Sequence, residues 1–472
     1  MLKIKREPYF IVAPFLPHLK LHFRLIENIN WTIMEITHFP IKERKILNQP
    51  AFETATIDQM NIHVLPTDKF KTTTIVVQIE QQLKEETLTL TALLPFILKR
   101  GSAKYPTTKE LRQYLDSLFG AVFYTDVIKK GEKQIIQLQL EIANEKYLSD
   151  TSPLLQKGIE FLGEIMTNPL IQDNGFSKNY VRSEAEVLQN RISSLVDDKI
   201  RYANQRVTEE MCKEEPYRLL SYGKAEELSQ VDPAQLYTYY QQLLAENPID
   251  IYIVGDVVPD DVKDGIAKHF KVKRNQVQDL PFAPIQKKVV EENLIVEKMK
   301  VGQGKLNIGC RTHTTLVDDD YETLLVYNGI LGGFPHSKLF VNVREKASLA
   351  YYAVSRLESH KGILMMMSGI EIDKFEQAVD IMKKQLQLMK DGTISDQEMA
   401  QTKATLVNQL LETKDNARTI IDFSYNSQLS GKKKTVEGMI EKIKSTTIDD
   451  VVKIAQKIEV DTIYFLRDEE GN

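Results

Sequence analysis

The sequence predicts an α+β protein made of two homologous domains, each an antiparallel sheet backed by helices on one face. Predicted strands and helices are interspersed without the regular alternation that parallel βαβ units require. The order of elements over residues 51–271 recurs over residues 293–472. Between them, residues 272–292 contain Pro281 and Pro284, mixed charge and no hydrophobic period, so they are the predicted linker.

Composition limits the classes of partner. The chain has 472 residues, too many for one compact core, with 42% hydrophobic and 27% charged residues, which is ordinary for a soluble protein. A net charge of −5 gives no electrostatic reason to expect nucleic acid. No apolar run approaches the roughly 20 residues that cross a bilayer. Cys212 and Cys310 lie outside any C-x-x-C spacing and no export signal is recognisable, so a cytoplasmic protein with reduced thiols is expected.

Residues 1–50 differ from the rest of the chain. They contain no glycine, the only tryptophan (Trp31) and five prolines. They are an atypical N-terminal extension, and it stays open whether they are an added element or upstream sequence included through the choice of start site. His18 and His22 have the spacing of two metal-binding imidazoles on a helix, but no glutamate lies between them and the alternating hydrophobicity favours a strand.

The first domain begins with residues 60–65 and 72–80, which are predicted to be antiparallel strands joined by a polar turn at 66–69. Thr107 is a predicted helix cap, and residues 121–127 and 134–142 alternate as a hairpin. Further predicted elements of this domain are helices over 85–98, 109–118, 152–166, 179–197 and 235–244 and a strand over 249–255. The second domain is predicted to contain strands over 301–311 and 363–370 and helices over 321–331, 373–389 and 395–412.

Residues 331–352 carry the most specific sequence feature. Gly332, Gly333 and Pro335 end the preceding helix, and the residues that follow have an apolar face at helical spacing. Arg344 lies at the edge of that face, while Tyr351 begins a strand, so both side chains can point toward one cleft. From residue types alone, the same pattern is typical of a packed corner with a solvated arginine.

This stretch resembles the arginine and tyrosine segment of the insulinase/pitrilysin family, the zinc peptidases with the inverted H-x-x-E-H motif. Paired glycines, S-x-L-F, R-E-K and L-x-Y follow in the family's order and spacing, and weaker matches extend over residues 51–470. The family's substrate-holding arginine falls on Arg344 and its tyrosine on Tyr351. The resemblance implies a half-clamshell fold, a peptide substrate, and these two residues as its substrate-binding pair.

The resemblance also locates the zinc motif, which this chain lacks. Aligned on the K-R-G-S run at 99–102, the two histidine positions are Ala92 and Phe96 and the general-base position is Pro95. The third ligand position, a glutamate in the family, is Arg191. None of these side chains can coordinate a metal, and a guanidinium repels Zn²⁺. The sequence therefore predicts no catalytic residue, no metal and no cofactor in this chain.

The leading hypothesis is a zinc-less, non-catalytic subunit of a heterodimeric peptidase. A homologous partner chain would carry the zinc, and this chain, inactive alone, would supply Arg344 and Tyr351. The alternative is a catalytically inactive peptide-binding or structural paralogue with no proteolytic complex. An independent hydrolase is disfavoured because the chain has no G-x-S-x-G and no cysteine and histidine in a nucleophile context. It stays open which peptide is the substrate, which chain is the partner, and whether the complex is a heterodimer or a homodimer.

Overall fold

The computed structural model describes residues 51–149, 152–282 and 287–469, and these lie within one compact unit, Pro50–Asn472. The predictions for residues 1–50, including His18 and His22, lie outside the described residues. The strands are β1 (Glu53–Ile57), β2 (Met60–Pro66), β3 (Thr72–Gln82), β4 (Val122–Lys130), β5 (Lys133–Ala143), β6 (Ile171–Gln172), β7 (Gly175–Phe176), β8 (Ile249–Gly255), β9 (Asn293–Lys298), β10 (Gly304–Arg311), β11 (Ala350–Glu358), β12 (Ile363–Ile370) and β13 (Glu459–Arg467).

The helices pack against two larger sheets formed by these strands, while β6 and β7 form a separate short hairpin. None of the helices in the described part of the chain has both the length and the apolar character of a membrane span. The helices are α1 (Glu85–Leu98), α2 (Thr108–Ser117), α3 (Leu154–Thr167), α4 (Lys178–Ser193), α5 (Lys199–Met211), α6 (Ala225–Leu228), α7 (Pro233–Glu246), α8 (Pro259–His269), α9 (Tyr321–Asn328), α10 (Phe375–Lys390), α11 (Asp396–Glu412), α12 (Ala417–Leu429), α13 (Val436–Ser445) and α14 (Ile448–Lys457).

The two sheets share one strand order, as a duplicated unit requires. The six-stranded sheet has the order β1-β2-β8-β3-β5-β4, and the five-stranded sheet, read from its far end, has the order β9-β13-β10-β12-β11. Apart from β1, the two orders correspond strand for strand. Both contain one parallel pair, β2 with β8 and β9 with β13, and their other pairs are antiparallel. The edge strands β4 and β11 therefore occupy equivalent places in the two halves.

The predicted pairing of residues 60–65 with residues 72–80 is wrong. Both strands form, as β2 and β3, but β8 lies between them, parallel to β2 and antiparallel to β3. Every residue of β8 is buried, which is typical of a central strand covered on both faces. The polar turn at 66–69 indicated a local hairpin of β2 and β3. The strand that pairs with both of them is β8, which comes from the distant end of the same half.

Each half sends one helix onto the sheet of the other half. On the five-stranded sheet, Ala203 and Val207 of α5 are fully buried against the face of β13 that points away from its own helices. On the six-stranded sheet, Tyr425 of α12 is fully buried against β8 in the same way. The predicted packing of helices on one face holds for each half, and the exchanged helices cover part of the second face. Neither α5 nor α12 is predicted from the sequence.

Two equivalent hairpin turns meet where the halves join. Gly131, in the turn between β4 and β5, has a φ of +56°, which favours glycine. A Cβ added there would lie 3.1 Å from the Cβ of His360 in the turn between β11 and β12. The neighbouring residues Glu132 and Lys361 form an ion pair across this junction. A residue larger than glycine at 131 would therefore push the two turns apart.

A buried network of charges extends from this junction. Arg311 donates from Nη2 to Glu215 at 2.7 Å and from Nε to Asp461 at 2.8 Å. The ammonium group of Lys361 lies 2.6 Å from the second oxygen of Glu215. The side chains of Arg311 and Glu215 are each 3% exposed. Because Glu132 and Glu215 belong to the first half and the other members to the second, this network holds the halves together.

Candidate functional site

The segment that carries Arg344 and Tyr351 is a helical turn leading into the edge strand β11, as predicted. Residues Phe340–Lys346 form a π-helical turn, wider than an α-helix, and the buried side chain of Val343 holds it against the core. The backbone N–H of Leu349 donates to the carbonyl oxygen of Val343 at 3.1 Å. This hydrogen bond ties the end of the helical turn to the start of the strand.

Both predicted substrate-binding residues are exposed. Tyr351 keeps 68% of its surface accessible, and the guanidinium of Arg344 lies 4.6 Å from the centre of the Phe340 ring. Tyr351 is the extra residue of a β-bulge, because Ala350 and Tyr352 pair with consecutive residues of β12. Bulges at sheet edges redirect side chains, and this one breaks the strict alternation expected of the strand. Both side chains are accessible to a ligand.

Tyr352 is held differently from Tyr351. Its hydroxyl is buried and has no hydrogen-bond partner among the described residues. Burial, with a smaller effect of the Asp198 carboxylate, raises the pKa of Tyr352 to about 12. Its ring packs so close to Gly369 of β12 that an added Cβ there would lie 2.7 Å from Cε1. Tyr352 is therefore a packing residue next to the candidate site.

The family's zinc-motif positions come together on α1 and α4, but their side chains do not fit a metal. Ala92 and Pro95 are buried in α1, and Phe96 lies at the end of the same face. The guanidinium carbon of Arg191, on α4, lies 5.9 Å from the centre of the Phe96 ring. A methyl group, a proline ring and a phenyl ring offer no lone pair, and the guanidinium cannot be deprotonated.

Arg191 is held by neighbours that the sequence did not identify. Its guanidinium stacks 4.0 Å above the ring of Tyr222, and one nitrogen donates to the Tyr222 hydroxyl. Another nitrogen lies 3.6 Å from Oδ1 of Asp126, and the Tyr124 hydroxyl donates to Oδ2 of Asp126 at 2.6 Å. Burial, helped by Asp126, raises the pKa of Tyr124 to about 12, so this hydroxyl stays neutral. We call Arg191, Asp126, Tyr124, Tyr222 and Phe96 the Arg191 cluster.

Other acidic residues do not rebuild a metal site nearby. Glu184, which is on the same helix as Arg191, lies 3.3 Å from a guanidinium nitrogen of Arg100. Burial raises the pKa of Glu184, and the charge of Arg100 opposes that effect. Within the described ranges, no group of three or more histidine, cysteine, aspartate or glutamate side chains is arranged to hold a metal ion.

We expect the purified chain to retain no zinc at α1 and α4. A structural zinc site contributes about 10–16 kcal/mol of apparent binding free energy, so a real one would survive a brief wash with chelator. The measurement is elemental analysis of the washed protein. Zinc close to one atom per chain would contradict the assignment of Ala92, Phe96 and Arg191 as positions that cannot ligate.

Comparison with known proteins identifies a family and a similar relative. The "Peptidase M16 inactive domain" family matches residues 230–406. The "Probable inactive metalloprotease YmfF" of Bacillus subtilis is 44% identical over 412 residues, which cover 87% of this chain and 96% of that protein.

Solved structures share the fold. A conserved protein from Enterococcus faecalis V583 has a TM-score of 0.81 and 32% identity, covering 89% of this chain and 99% of that one. The M16 inactive domain from Pseudomonas fluorescens has a TM-score of 0.75 at 14% identity, covering 90% of this chain and 100% of that one, and shows the fold alone. With its zinc positions replaced, the chain belongs to the M16 (insulinase/pitrilysin) peptidase family as a homologue of the inactive type.

Proposed function

We propose that this chain is the zinc-less subunit of a two-chain peptidase. A homologous partner would carry the H-x-x-E-H motif and the zinc, and this chain would supply Arg344 and Tyr351 to the shared peptide substrate. The observation that carries the proposal is an exposed pair, with Arg344 on the helical turn before edge strand β11 and Tyr351 at the start of that strand. A chain that had become a scaffold only would have no chemical need for an accessible guanidinium and phenol at this position.

The chemistry of the pair suits peptide hydrolysis in a closed chamber. The carbonyl oxygen of the scissile bond gains negative charge in the transition state, and donors aimed at that charge act more strongly where solvent is excluded. The Tyr351 hydroxyl can donate to this oxygen. Arg344 can hold a backbone carbonyl of the substrate through its planar guanidinium. The peptide itself would bind as an added strand at a sheet edge.

The second candidate function is peptide binding or a structural role with no proteolytic complex. The similarity to a protein described as a probable inactive metalloprotease favours it, because that relative is described as inactive. The two candidates differ in what they require of a second chain. Peptide binding needs this chain alone, whereas proteolysis needs a zinc-bearing homologue.

The two cysteines support a proposed cytoplasmic location. Both Cys212 and Cys310 are buried and free. Burial raises the pKa of Cys212 to about 11 and that of Cys310 to about 12, so neither thiol is reactive at neutral pH. Buried, unpaired thiols fit a reducing compartment better than an oxidising one.

We expect this chain to form a one-to-one complex with an H-x-x-E-H homologue from the same organism. The experiment is to purify both chains separately, mix them, and measure the mass of the species in solution. Each chain measured alone at the same concentration is the control, and it also reports any homodimer. If the mixture shows only the species that the separate chains form, no complex exists and the peptide-binding or structural alternative stands.

A further inference from the structure

We propose that the Arg191 cluster, where the family binds zinc, is a binding site for the carboxylate of an extended peptide. The peptide would lie along the free edge of β4, with its carboxylate on the guanidinium of Arg191. This inference concerns a residue, Arg191, and a carboxylate contact that the proposed peptidase function does not use. It requires this chain alone, so it can fail or succeed independently of the partner.

The site carries more positive than negative charge. Arg418, at the start of α12, places its guanidinium 5.7 Å from the centre of the Tyr124 ring. Asp126 is the acid of the Arg191 cluster, and its oxygens already accept hydrogen bonds from Tyr124 and from the backbone N–H of Val127, at 2.9 Å for the latter. Its separation of 3.6 Å from Arg191 is too long for a charge-assisted hydrogen bond. Asp126 therefore does not fully occupy the hydrogen-bonding capacity of the Arg191 guanidinium.

Both guanidinium groups can be reached from solvent. The side chain of Arg191 is 42% exposed, and Arg418 is exposed. Contact with the ring of Tyr222 restrains Arg191 before any ligand arrives, so less side-chain freedom is lost on binding. A planar guanidinium can also donate two parallel hydrogen bonds to the two oxygens of one carboxylate.

The neighbouring strand edge suits a peptide backbone. β4 is the last strand of its sheet, so the backbone groups on its outer side have no neighbouring strand among the described residues. Phe119 and Val122 are 46% and 60% exposed, and Tyr124 is 38% exposed. An extended peptide can pair with such an edge while its alternate side chains contact exposed apolar groups. The Arg191 cluster lies against this edge through Asp126, which is itself in β4.

The test measures binding of labelled peptides to the full chain by fluorescence anisotropy. The first probe is an unstructured ten-residue peptide with alternating apolar residues and a free C-terminal carboxylate. The second is the same peptide with a C-terminal amide, and the third is the amide with one central glutamate. We expect the first or the third probe to bind at least about tenfold more tightly than the second, because charge-assisted hydrogen bonds are being gained. Whichever of the first and third probes binds more tightly shows whether a chain terminus or a side chain supplies the carboxylate.

Arg191→Gln should remove this preference and leave binding of the amide peptide unchanged. Arg182→Gln is the matched control, because Arg182 is an exposed arginine of α4 on the opposite face of the helix. If Arg191→Gln lowers the thermal stability of the chain, Arg418→Gln gives the same comparison. Equal affinities for all three peptides, no binding of any of them, or equal losses in the Arg191 and Arg182 variants would overturn the proposal.

Discussion

Replacing Arg311 by alanine is expected to lower the free energy of unfolding by about 3–5 kcal/mol, because it removes a cationic partner from two buried carboxylates, Asp461 and Glu215, of which Glu215 keeps Lys361. The guanidinium of Arg311 is hydrogen-bonded to Glu215 and Asp461, and all three side chains are largely shielded from water. Alanine removes the donors but leaves both carboxylates in place. Since Glu215 belongs to the first half and Arg311 to the second, the loss also loosens the contact between halves.

Chemical denaturation of the native chain and of the Arg311→Ala variant measures this loss of unfolding free energy. Arg356→Ala is the control, because Arg356 is an exposed arginine on β11 and surface substitutions usually change stability by less than about 0.5 kcal/mol. A similar small effect in both variants would show that the buried network does not stabilise the junction of the halves.

The difference in stability between the native chain and the Arg311→Ala variant should also depend on pH, and its direction of change can be derived. Burial would raise the pKa of Glu215, but its hydrogen bonds to Arg311 and Lys361 hold that pKa below its ordinary value of 4.5. A carboxylate with a depressed pKa stabilises the fold above its unfolded-state pKa, and this contribution is lost as pH falls through its folded-state pKa. The stability difference between the native chain and Arg311→Ala should therefore shrink in acid. A difference that stays constant would assign the effect of Arg311 to packing alone.

Tyr351→Phe is expected to lower kcat of the two-chain peptidase by at least roughly tenfold, because removal of one oxyanion donor costs about 10²–10³ in rate in other enzymes. The structure supports an accessible hydroxyl, since Tyr351 is exposed on a β-bulge at the start of β11. Phenylalanine keeps the ring and its packing, so assembly with the partner should be unchanged. Steady-state kinetics on the mixed chains measures the effect.

Two further variants distinguish chemistry from packing at this segment. Tyr352→Phe is the control, because the Tyr352 hydroxyl is buried without a hydrogen-bond partner in the described structure, so its removal loses no interaction. Arg344→Ala should raise KM as well as lower kcat, since anchoring of the substrate is lost in the ground state too. Small and equal effects at 351 and 352 would return this stretch to the alternative of a packed corner with a solvated arginine.

Local patterns predicted most elements of the fold, and long-range contacts are where prediction failed. Helix α1 and strand β8 have the predicted bounds, because the apolar and turn-forming residues that indicate them lie within a few residues of each element. The insertion of β8 between β2 and β3 depends on pairing between distant residues, which no local period records. The same is true of α5 and α12, whose apolar faces pack on the sheet of the opposite half.

The candidate site divides in the same way. Arg344 and Tyr351 could be assigned to one segment because both lie in the continuous run of 331–352 with a family-specific spacing, and their role in substrate binding stays a prediction. The replacement of each zinc-motif residue can also be seen in the sequence, position by position. The Arg191 cluster could not be predicted, because Asp126 and Tyr222 come from other elements. The sequence alone does not say which acid lies beside Arg191.

The most direct test of the proposed function is the rate of peptide hydrolysis by the two purified chains, measured separately and mixed. The substrate is a short unfolded peptide with a quenched fluorophore, and the partner is the H-x-x-E-H homologue loaded with zinc. We expect no hydrolysis by this chain alone and a rate in the mixture that exceeds that of the partner alone. A mixture no faster than the partner alone would contradict it.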